Sequence, residues 1–559
     1  MRDVVERLTV RGWLVAQSPL HVGGLASEAD VDLTLARDGL DRFVVPGTSL
    51  AGAFRSWMKP AVGVGIDDSA LTQWVWGEQE HASHLSIEDG LIFPTLDSAI
   101  RAVDATRHLR DPLMDPVASR RVEVRTGVGI SRESGTAAPG ILYTRAVLGA
   151  GIAVRFAATL EVPQRADGTA FRAYFKCLVD ALANGDILLG AVKSAGLGRV
   201  QLDANSATVE RVDMSSREGV LSRLEGSTPT VPLGDFDWAT DDVMFALPAR
   251  ARVEVPWVQL LPIMVKDAIE GIAIDSLPLT TEMAGADGTL VRRSVIPGTS
   301  IKGALRAHAE RIVRTLFAIP DLPADTHPSR QFVDALDQLR IVTALFGRAG
   351  QGADVAADGR DHHGRGAITV NDVVGTGQLC NEAWRALLTG EGPDAPPDPT
   401  MRVSLALRET LQRDGFYPRT RNAIDRWTSG TLDGALFSVL EPRGVTWEPL
   451  VIEIDAQRLA PDELGPALAL LCYVVRDFCA GMIPLGHSTT AGMGSVSADE
   501  ARVTIRNLPA LEPGGDGGAV LEDITFDRLR ASKWAIRASD ALNEWREGET
   551  AVTAVGGDK

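Results

Sequence analysis

The 559-residue chain is 45% hydrophobic and 23% charged, the balance of an ordinary globular protein, and it is too long for one core, so two or more domains are expected. A formal charge of −18 excludes a protein that grips nucleic acid with its whole surface, while leaving room for a local basic groove. With no apolar run of about 20 residues, no apolar export signal and no CxxC pair among Cys177, Cys380, Cys472 and Cys479, the expectation is a cytoplasmic protein without membrane partner, disulfide framework or zinc knuckle.

Residues 7–17 alternate polar and apolar side chains, the period of a strand. His21-Val22-Gly23-Gly24 follows, then a stretch holding Asp30 and Asp32, then Val45-Pro46-Gly47-Thr48-Ser49-Leu50-Ala51-Gly52-Ala53-Phe54-Arg55. This last unit reads as strand, tight turn and helix start. Pro fixes φ, Gly permits the turn, and the Thr and Ser hydroxyls are placed to cap helix N–H groups. Residues 120–143 are rich in glycine and arginine, including Arg121, Arg125 and Arg132. Strands are predicted at 146–148 and 152–162 and a helix at 171–183, before the glycine loop Lys193-Ser194-Ala195-Gly196-Leu197-Gly198-Arg199.

The order then restarts. A strand pattern covers 252–261, a loop carries Asp275, and Ile296-Pro297-Gly298-Thr299-Ser300-Ile301-Lys302-Gly303-Ala304-Leu305-Arg306 repeats the earlier turn with Pro, Gly, Thr, Ser, Gly, Ala and Arg in register. Its helix has an apolar stripe through Ile301, Leu305, Ile312 and Leu316, with Lys302 and Arg306 largely off it. Leu345-Phe346-Gly347, an arginine-rich segment at 419–436, strands near 450–454, a helix at 466–479 and a second glycine loop with Gly492 and Gly494 complete the series. Landmarks recurring in one order imply a duplicated domain. Each half reads β–α–β–β–α–β, a ferredoxin-like, RNA-recognition-motif-like α+β plan with large finger and thumb insertions. The expected boundaries are 1–203 for the first domain, 204–249 for an acidic linker and domain edge, 250–510 for the second domain, and 511–559 for a C-terminal extension with one helix and an unstructured end from 552.

Together these landmarks resemble the RAMP superfamily of CRISPR-associated proteins. Within it they are most similar to the repeated backbone subunit of type III effector complexes, here as two fused units of the kind found in type III-D. The resemblance rests on His21-Val22-Gly23-Gly24, both PGTS helix starts, Leu345-Phe346-Gly347, Arg421-Asn422-Ala423-Ile424-Asp425-Arg426 and both glycine loops. It implies a scaffold that binds guide RNA, a thumb hairpin in each unit that displaces one nucleotide of the guide–target duplex, and cleavage of target RNA by a loop aspartate. The aspartates in that position are Asp32, followed by Arg37 and Asp38, and Asp275, whose longer loop does not reproduce the downstream pair and is expected to displace it. A divalent ion, Mg²⁺ or Mn²⁺, would be held by these carboxylates. The implied partners are guide RNA, target RNA and other type III effector subunits.

The residues assigned to RNA contact follow the same landmarks. They are His21; Ser49, Arg55, Ser300, Lys302 and Arg306 at the two helix starts; Arg125, Arg132, Arg421 and Arg426 in the thumb segments; and Lys193, Gly196, Gly198, Arg199, Gly492 and Gly494 in the glycine loops. A helix N-terminus with a lysine one step inside is suited to phosphate, and paired glycines let a backbone approach one. Two rival readings stay open at this stage: a scaffold of the same complex that does not cut, and a duplicated metabolic enzyme binding a phosphorylated small molecule. His362-His363, beside Asp358 and Asp361, has the composition of a metal cluster but reads better as a solvated loop.

Overall fold

A computed structural model describes residues 3–24, 31–60, 62–64, 69–105, 122–131, 135–240, 243–246, 250–284, 290–319, 339–348, 364–390, 403–498, 503–508, 510–511 and 519–556. The chain forms two compact units. The first holds Met1–Val124, Thr144–Lys193 and Leu197–Pro248; the second holds Arg125–Tyr143, Ser194–Gly196 and Ala249–Lys559.

The main elements before Pro248 are β1 (Val4–Ala16), β2 (Val44–Val45), α1 (Gly47–Met58), β3 (Leu85–Ile87), β4 (Gly90–Phe93), β5 (Val122–Ile130), β6 (Ala137–Leu148), β7 (Ala153–Pro163), α2 (Gly168–Asn184), β8 (Val200–Leu202), β9 (Thr208–Asp213) and β10 (Thr230–Pro232), and of these the hairpin residues Arg125–Tyr143 of β5 and β6 belong to the second unit. The main sheet runs β10-β9-β1-β7-β4-β2, with β3 also on β7 and β8 on β1. Alternation along β1 puts Leu8, Val10, Leu14 and Ala16 into the core beneath α1 and α2. Helix α2 starts where the Asp167 carboxylate accepts the N–H groups of Thr169 and Ala170, and ends at Gly185 in the left-handed conformation. Its Phe171, Tyr174, Phe175, Leu178 and Leu182 are buried.

The second unit contains β11 (Ala251–Val255), β12 (Thr280–Ala284), β13 (Leu290–Ile296), α3 (Gly298–Phe317), β14 (Ile368–Val370), β15 (Val373–Leu379), β16 (Phe416–Ile424), β17 (Thr431–Pro442), β18 (Leu450–Ile454), α4 (Pro461–Cys479), β19 (Val503–Leu508), β20 (Ala519–Ile524) and α5 (Lys533–Gly556). Its five-stranded sheet runs β14-β18-β11-β19-β20, and β12-β13-β15 form a separate antiparallel sheet. The strand predicted over 252–261 stops at Val255, since Pro256 has no N–H for the ladder.

The two units have the same core order. β10-β9-β1-β7-β3 in one corresponds to β20-β19-β11-β18-β14 in the other, and the pairing of β2 with β4 corresponds to that of β13 with β15. The protein is therefore a mixed α+β duplication. The segment read as acidic linker and domain edge serves as domain edge through β9 and β10, which extend the first sheet, with Ala207, Val209 and Trp238 in its core. The C-terminal extension is structural as well. β20 extends the second sheet, Ala538 and Leu542 of α5 lie in the core, and α5 runs on to Gly556 through residues read as unstructured. Among the described residues no helix is long and apolar enough to cross a membrane.

Candidate active site

The loop after β1 is drawn across its unit by main-chain bonds. Leu20 bridges Leu148, and Gly23 bridges Leu35; Leu33 then makes a parallel bridge to Arg145, with its N–H on the Thr144 carbonyl at 3.1 Å and its carbonyl taking the Ala146 N–H at 3.0 Å. This register sets Asp32 against Thr144 of β6. Asp32 Oδ2 accepts the Thr144 N–H at 2.7 Å and the Thr144 hydroxyl at 2.9 Å, and the Asp32 N–H is 3.0 Å from the same hydroxyl oxygen. The carboxylate is exposed, and its pKa is lowered first by the Thr144 N–H and then by the hydroxyl.

The second unit repeats the arrangement atom for atom. Lys266 bridges Pro278, and Ser276 makes a parallel bridge to Val439, with its N–H on the Ser438 carbonyl and its carbonyl on the Leu440 N–H, each at 3.0 Å. Asp275 Oδ2 accepts the Ser438 N–H at 2.7 Å and hydroxyl at 2.8 Å, and the Asp275 N–H donates to that hydroxyl oxygen at 3.0 Å. The longer loop leaves Asp275 in this clamp. β12 and β13 pair with each other and absorb the extra residues downstream. Arg37 and Asp38, the downstream pair present only in the first copy, shape the turn that leads to β2. The Arg37 guanidinium lies over the Phe43 ring, and Asp38 binds the Arg42 side chain at 2.7 Å while accepting the N–H groups of Leu40 and Arg42.

Each clamp residue also ends the exposed arm of a hairpin. Leu142-Tyr143 precedes Thr144 and Leu436-Phe437 precedes Ser438, and all four side chains are exposed. A glycine with positive φ stands at the same place in each arm, Gly140 at 73° and Gly434 at 72°. In the β16–β17 hairpin, Arg421 is tied to Glu441 at 2.8 Å, whereas Arg426 is exposed beside Trp427, which is 94% exposed. Asp425 fixes that tip by accepting the Trp427 N–H and the Thr428 hydroxyl, each at 2.9 Å. Arg132 lies outside the described residues.

At both PGTS turns the helix start is capped differently from expectation. No Thr or Ser hydroxyl caps α1 or α3. Instead Asp89 Oδ1 accepts the Gly47 N–H at 2.6 Å, and Asp372 Oδ1 accepts the Gly298 N–H at 2.8 Å. Ser49 and Ser300 are half-buried, with their N–H groups on Pro46 and Pro297 carbonyls. Asp372 Oδ2 also takes Arg125 at 2.7 Å, so Arg125 is a nearly buried ion-pair partner rather than a surface cation. Lys302 is only 8% exposed, and its Nζ donates to the Ile368 carbonyl at 3.2 Å. Burial, and then the neighbouring Arg365 and Arg306, push its pKa down to about 7. Arg306 binds Glu310 at 2.9 Å and the Gly347 carbonyl at 2.6 Å. Of this group Arg55 alone is exposed.

The glycine loops approach the protein's own backbone. A Cβ on Gly198 (φ 89°) would lie 1.9 Å from the Leu189 carbonyl oxygen, and one on Gly494 (φ 87°) would lie 2.3 Å from that of Leu485. A Cβ on Gly196 (φ 92°) would meet Asp372 at 2.6 Å, while Gly492 (φ 77°) faces open space. Arg199 donates to the Gly185 carbonyl at the end of α2, at 3.0 Å, and Lys193 is half-buried. His21 is buried with Nδ1 2.7 Å from the Ala146 carbonyl oxygen, and burial lowers its pKa. It is thus a neutral ring that ties the loop to β6.

Sequence reasoning missed Thr144, Ser438, Asp89 and Asp372, whose partners are distant in the chain. Aligning Asp32 with Asp275 and counting from the Gly140 and Gly434 turns would have pointed to the first two. No group of three or more potential metal ligands occurs among the described residues, and His362-His363 lies outside them. Each clamp offers one carboxylate, a donor set that fits a divalent ion held mainly by phosphate oxygens and water.

Comparison with known proteins bears on the duplication. No curated protein matches the chain. Among solved structures, a chain of the "Type III-B Cmr-beta Cryo-EM structure of the Apo state" is similar at 17% identity, over 35% of this chain and 96% of that one, with a TM-score of 0.27. A likeness of that size carries no functional weight. The model of the RAMP superfamily matches residues 13–201 and again 277–497, more than half the chain, and each stretch includes a PGTS helix start, a hairpin and a glycine loop. With that model met once in each repeated half, the chain belongs to the RAMP superfamily.

Proposed function

We propose that this protein is a guide-RNA-binding backbone subunit of a type III CRISPR effector complex, and that Asp32 and Asp275 each direct one cut in guide-paired target RNA. The observation that carries the reading is the recurrence of one aspartate–hydroxyl clamp in both halves, beside an exposed Leu-aromatic pair. The same four-atom geometry is kept in both halves although the second loop is longer, which supports a task for the carboxylate.

The chemistry asks little of the protein. The 2′-hydroxyl of RNA attacks the adjacent phosphorus, the bond to the 5′-oxygen breaks, and the products are a 2′,3′-cyclic phosphate and a 5′-hydroxyl; alignment supplies much of the rate. The clamp keeps the Asp32 carboxylate ionised by N–H and O–H donation. A carboxylate with a lowered pKa is a weak general base, so orientation and charge are its better roles. A bound Mg²⁺ or Mn²⁺ would supply charge neutralisation at the phosphate, with Asp32 or Asp275 as its protein ligand. RNA contact falls most directly to the exposed Arg55 and Arg426, with Trp427 offering a stacking face.

The test uses the full chain loaded with guide RNA and an end-labelled complementary target. Asp32→Ala removes one cut, Asp275→Ala removes another, and guide binding is unchanged in both. Retention of every wild-type band in both variants overturns the reading and leaves a scaffold that does not cut.

A further inference from the structure

The clamps hold two residues that no landmark marked out. We propose that Thr144 and Ser438 are positioning residues, one for each cut, whose hydroxyls set the working orientation of Asp32 and Asp275. The inference rests on the proposed role of these aspartates and adds a separate requirement to it.

The main chain alone already positions each loop. The loop is held to β6 by the Leu33–Thr144 and Ala146–Leu33 bonds, and its counterpart to β17 by the Ser276–Ser438 and Leu440–Ser276 bonds. Those bonds place the aspartate's Cα without any help from a hydroxyl. The hydroxyl does something else. In each clamp it donates to Oδ2 and receives the aspartate's own N–H, at 2.9 and 3.0 Å in the first unit and at 2.8 and 3.0 Å in the second. It thereby closes a ring between the backbone and the carboxylate of one residue, and this fixes the side-chain torsions of the aspartate. Rotation of the carboxylate would break the hydroxyl bond and the N–H bond to Oδ2 together.

The two copies also show which part of the clamp residue matters. One is Thr and the other Ser, so the γ-methyl is dispensable and the hydroxyl is the common element. Asp32 is exposed, where an unrestrained carboxylate would sample several rotamers. Orientation is what an in-line displacement needs, and a misplacement of about 1 Å can cost about a hundredfold in rate.

The experiment compares Thr144→Val and Ser438→Ala with the conservative exchanges Thr144→Ser and Ser438→Thr, in the guide-loaded full chain, following each cut on an end-labelled target. Thr144→Val should slow the Asp32-dependent cut by up to about a hundredfold and leave the Asp275-dependent cut at its wild-type rate. Ser438→Ala should do the reverse. Thr144→Ser and Ser438→Thr should restore both, with melting temperature and guide affinity unchanged throughout. Wild-type rates in Thr144→Val and Ser438→Ala, while Asp32→Ala and Asp275→Ala lose their bands, would sink the positioning role and spare the aspartates. Loss of both cuts together in either variant would show general structural damage and also count against it. Intact bands in the aspartate variants would instead defeat the parent reading.

Discussion

Lys302 provides a sharp test, because its burial sets two readings against each other. A surface phosphate ligand could be replaced without loss of stability, whereas a buried ammonium should burden the fold. Its Nζ has the Ile368 carbonyl as hydrogen-bond partner, and its pKa falls from 10.5 to about 7 through burial, then Arg365 and Arg306. The difference, 10.5 − 7, is about 3.5 units, and at about 1.4 kcal/mol per unit it corresponds to at most about 5 kcal/mol. The direction follows from proton counting. Between pH 7 and 10.5 the unfolded chain keeps the proton and the folded chain has lost it, so stability rises with pH across that window. Below the folded value the full cost is present, and above the unfolded value it is gone. Lys302→Met removes this dependence and leaves the Ile368 carbonyl without its donor, at a cost of about 1 kcal/mol. The variant should therefore be several kcal/mol more stable than wild type near pH 6, with the gap closing by up to about 1.4 kcal/mol per pH unit above pH 7. Urea unfolding followed by tryptophan fluorescence reads this, since Trp257 and Trp447 stack in the same core. A gap independent of pH, or a variant less stable than wild type near pH 6, would refute the reasoning.

The two helix caps should differ in weight. Asp89→Ala removes a cap alone and should cost about 1 kcal/mol, whereas Asp372→Ala also strands the nearly buried Arg125 and should cost about 3 kcal/mol or more; equal losses in denaturant midpoint would contradict the shared-carboxylate account. Gly198→Ala and Gly494→Ala push a methyl group into a carbonyl oxygen and should lower the melting temperature sharply, while Gly492→Ala, with open space around it, should cost only about 1 kcal/mol of backbone strain. Comparable melting temperatures for all three would mean that close backbone approach is not what these glycines serve.

What could be read from the sequence was periodic and local. The alternation of β1, the apolar faces of α2 and α4, and the twice-written Pro-Gly-Thr-Ser turn all lie within a few consecutive turns or pleats, so they show without knowledge of the fold. Three features escaped because their causes are distant or mixed. The helix caps come from carboxylates 42 and 74 residues away, so the nearby hydroxyls looked like the obvious donors. Lys302 appeared off the apolar stripe because a single stripe was drawn. In fact α3 buries Ile301, Lys302, Leu305, Ala309, Glu310 and Val313, a wider face, against β14, α4 and the Arg340–Phe346 helix. In the segment read as linker and domain edge, acidic side chains masked the buried Val209 and Val212 of β9. At the candidate site, both aspartates were reached through the resemblance to the RAMP superfamily, and the residues alone did not single them out. Their hydroxyl partners lie 112 and 163 residues further on and carry no local signal.

The self-paired β12–β13 ribbon has a consequence for how the two halves can diverge. The second loop is longer than the first, yet the added chain pairs with itself downstream of Asp275, and the register of Ser276 on Val439 matches that of Leu33 on Arg145. Length in this segment is thus insulated from the carboxylate. A peptide tag or reporter inserted between the paired Ala284 and Leu290 would lie beyond the ribbon's register and leave the reach of Asp275 unaltered. The same insertion between Asp32 and Val44, where the chain is knotted into short bridges from Arg37 to Phe43, has no such slack to draw on. One half can grow and the other cannot, and that asymmetry makes the second unit the tolerant place to engineer.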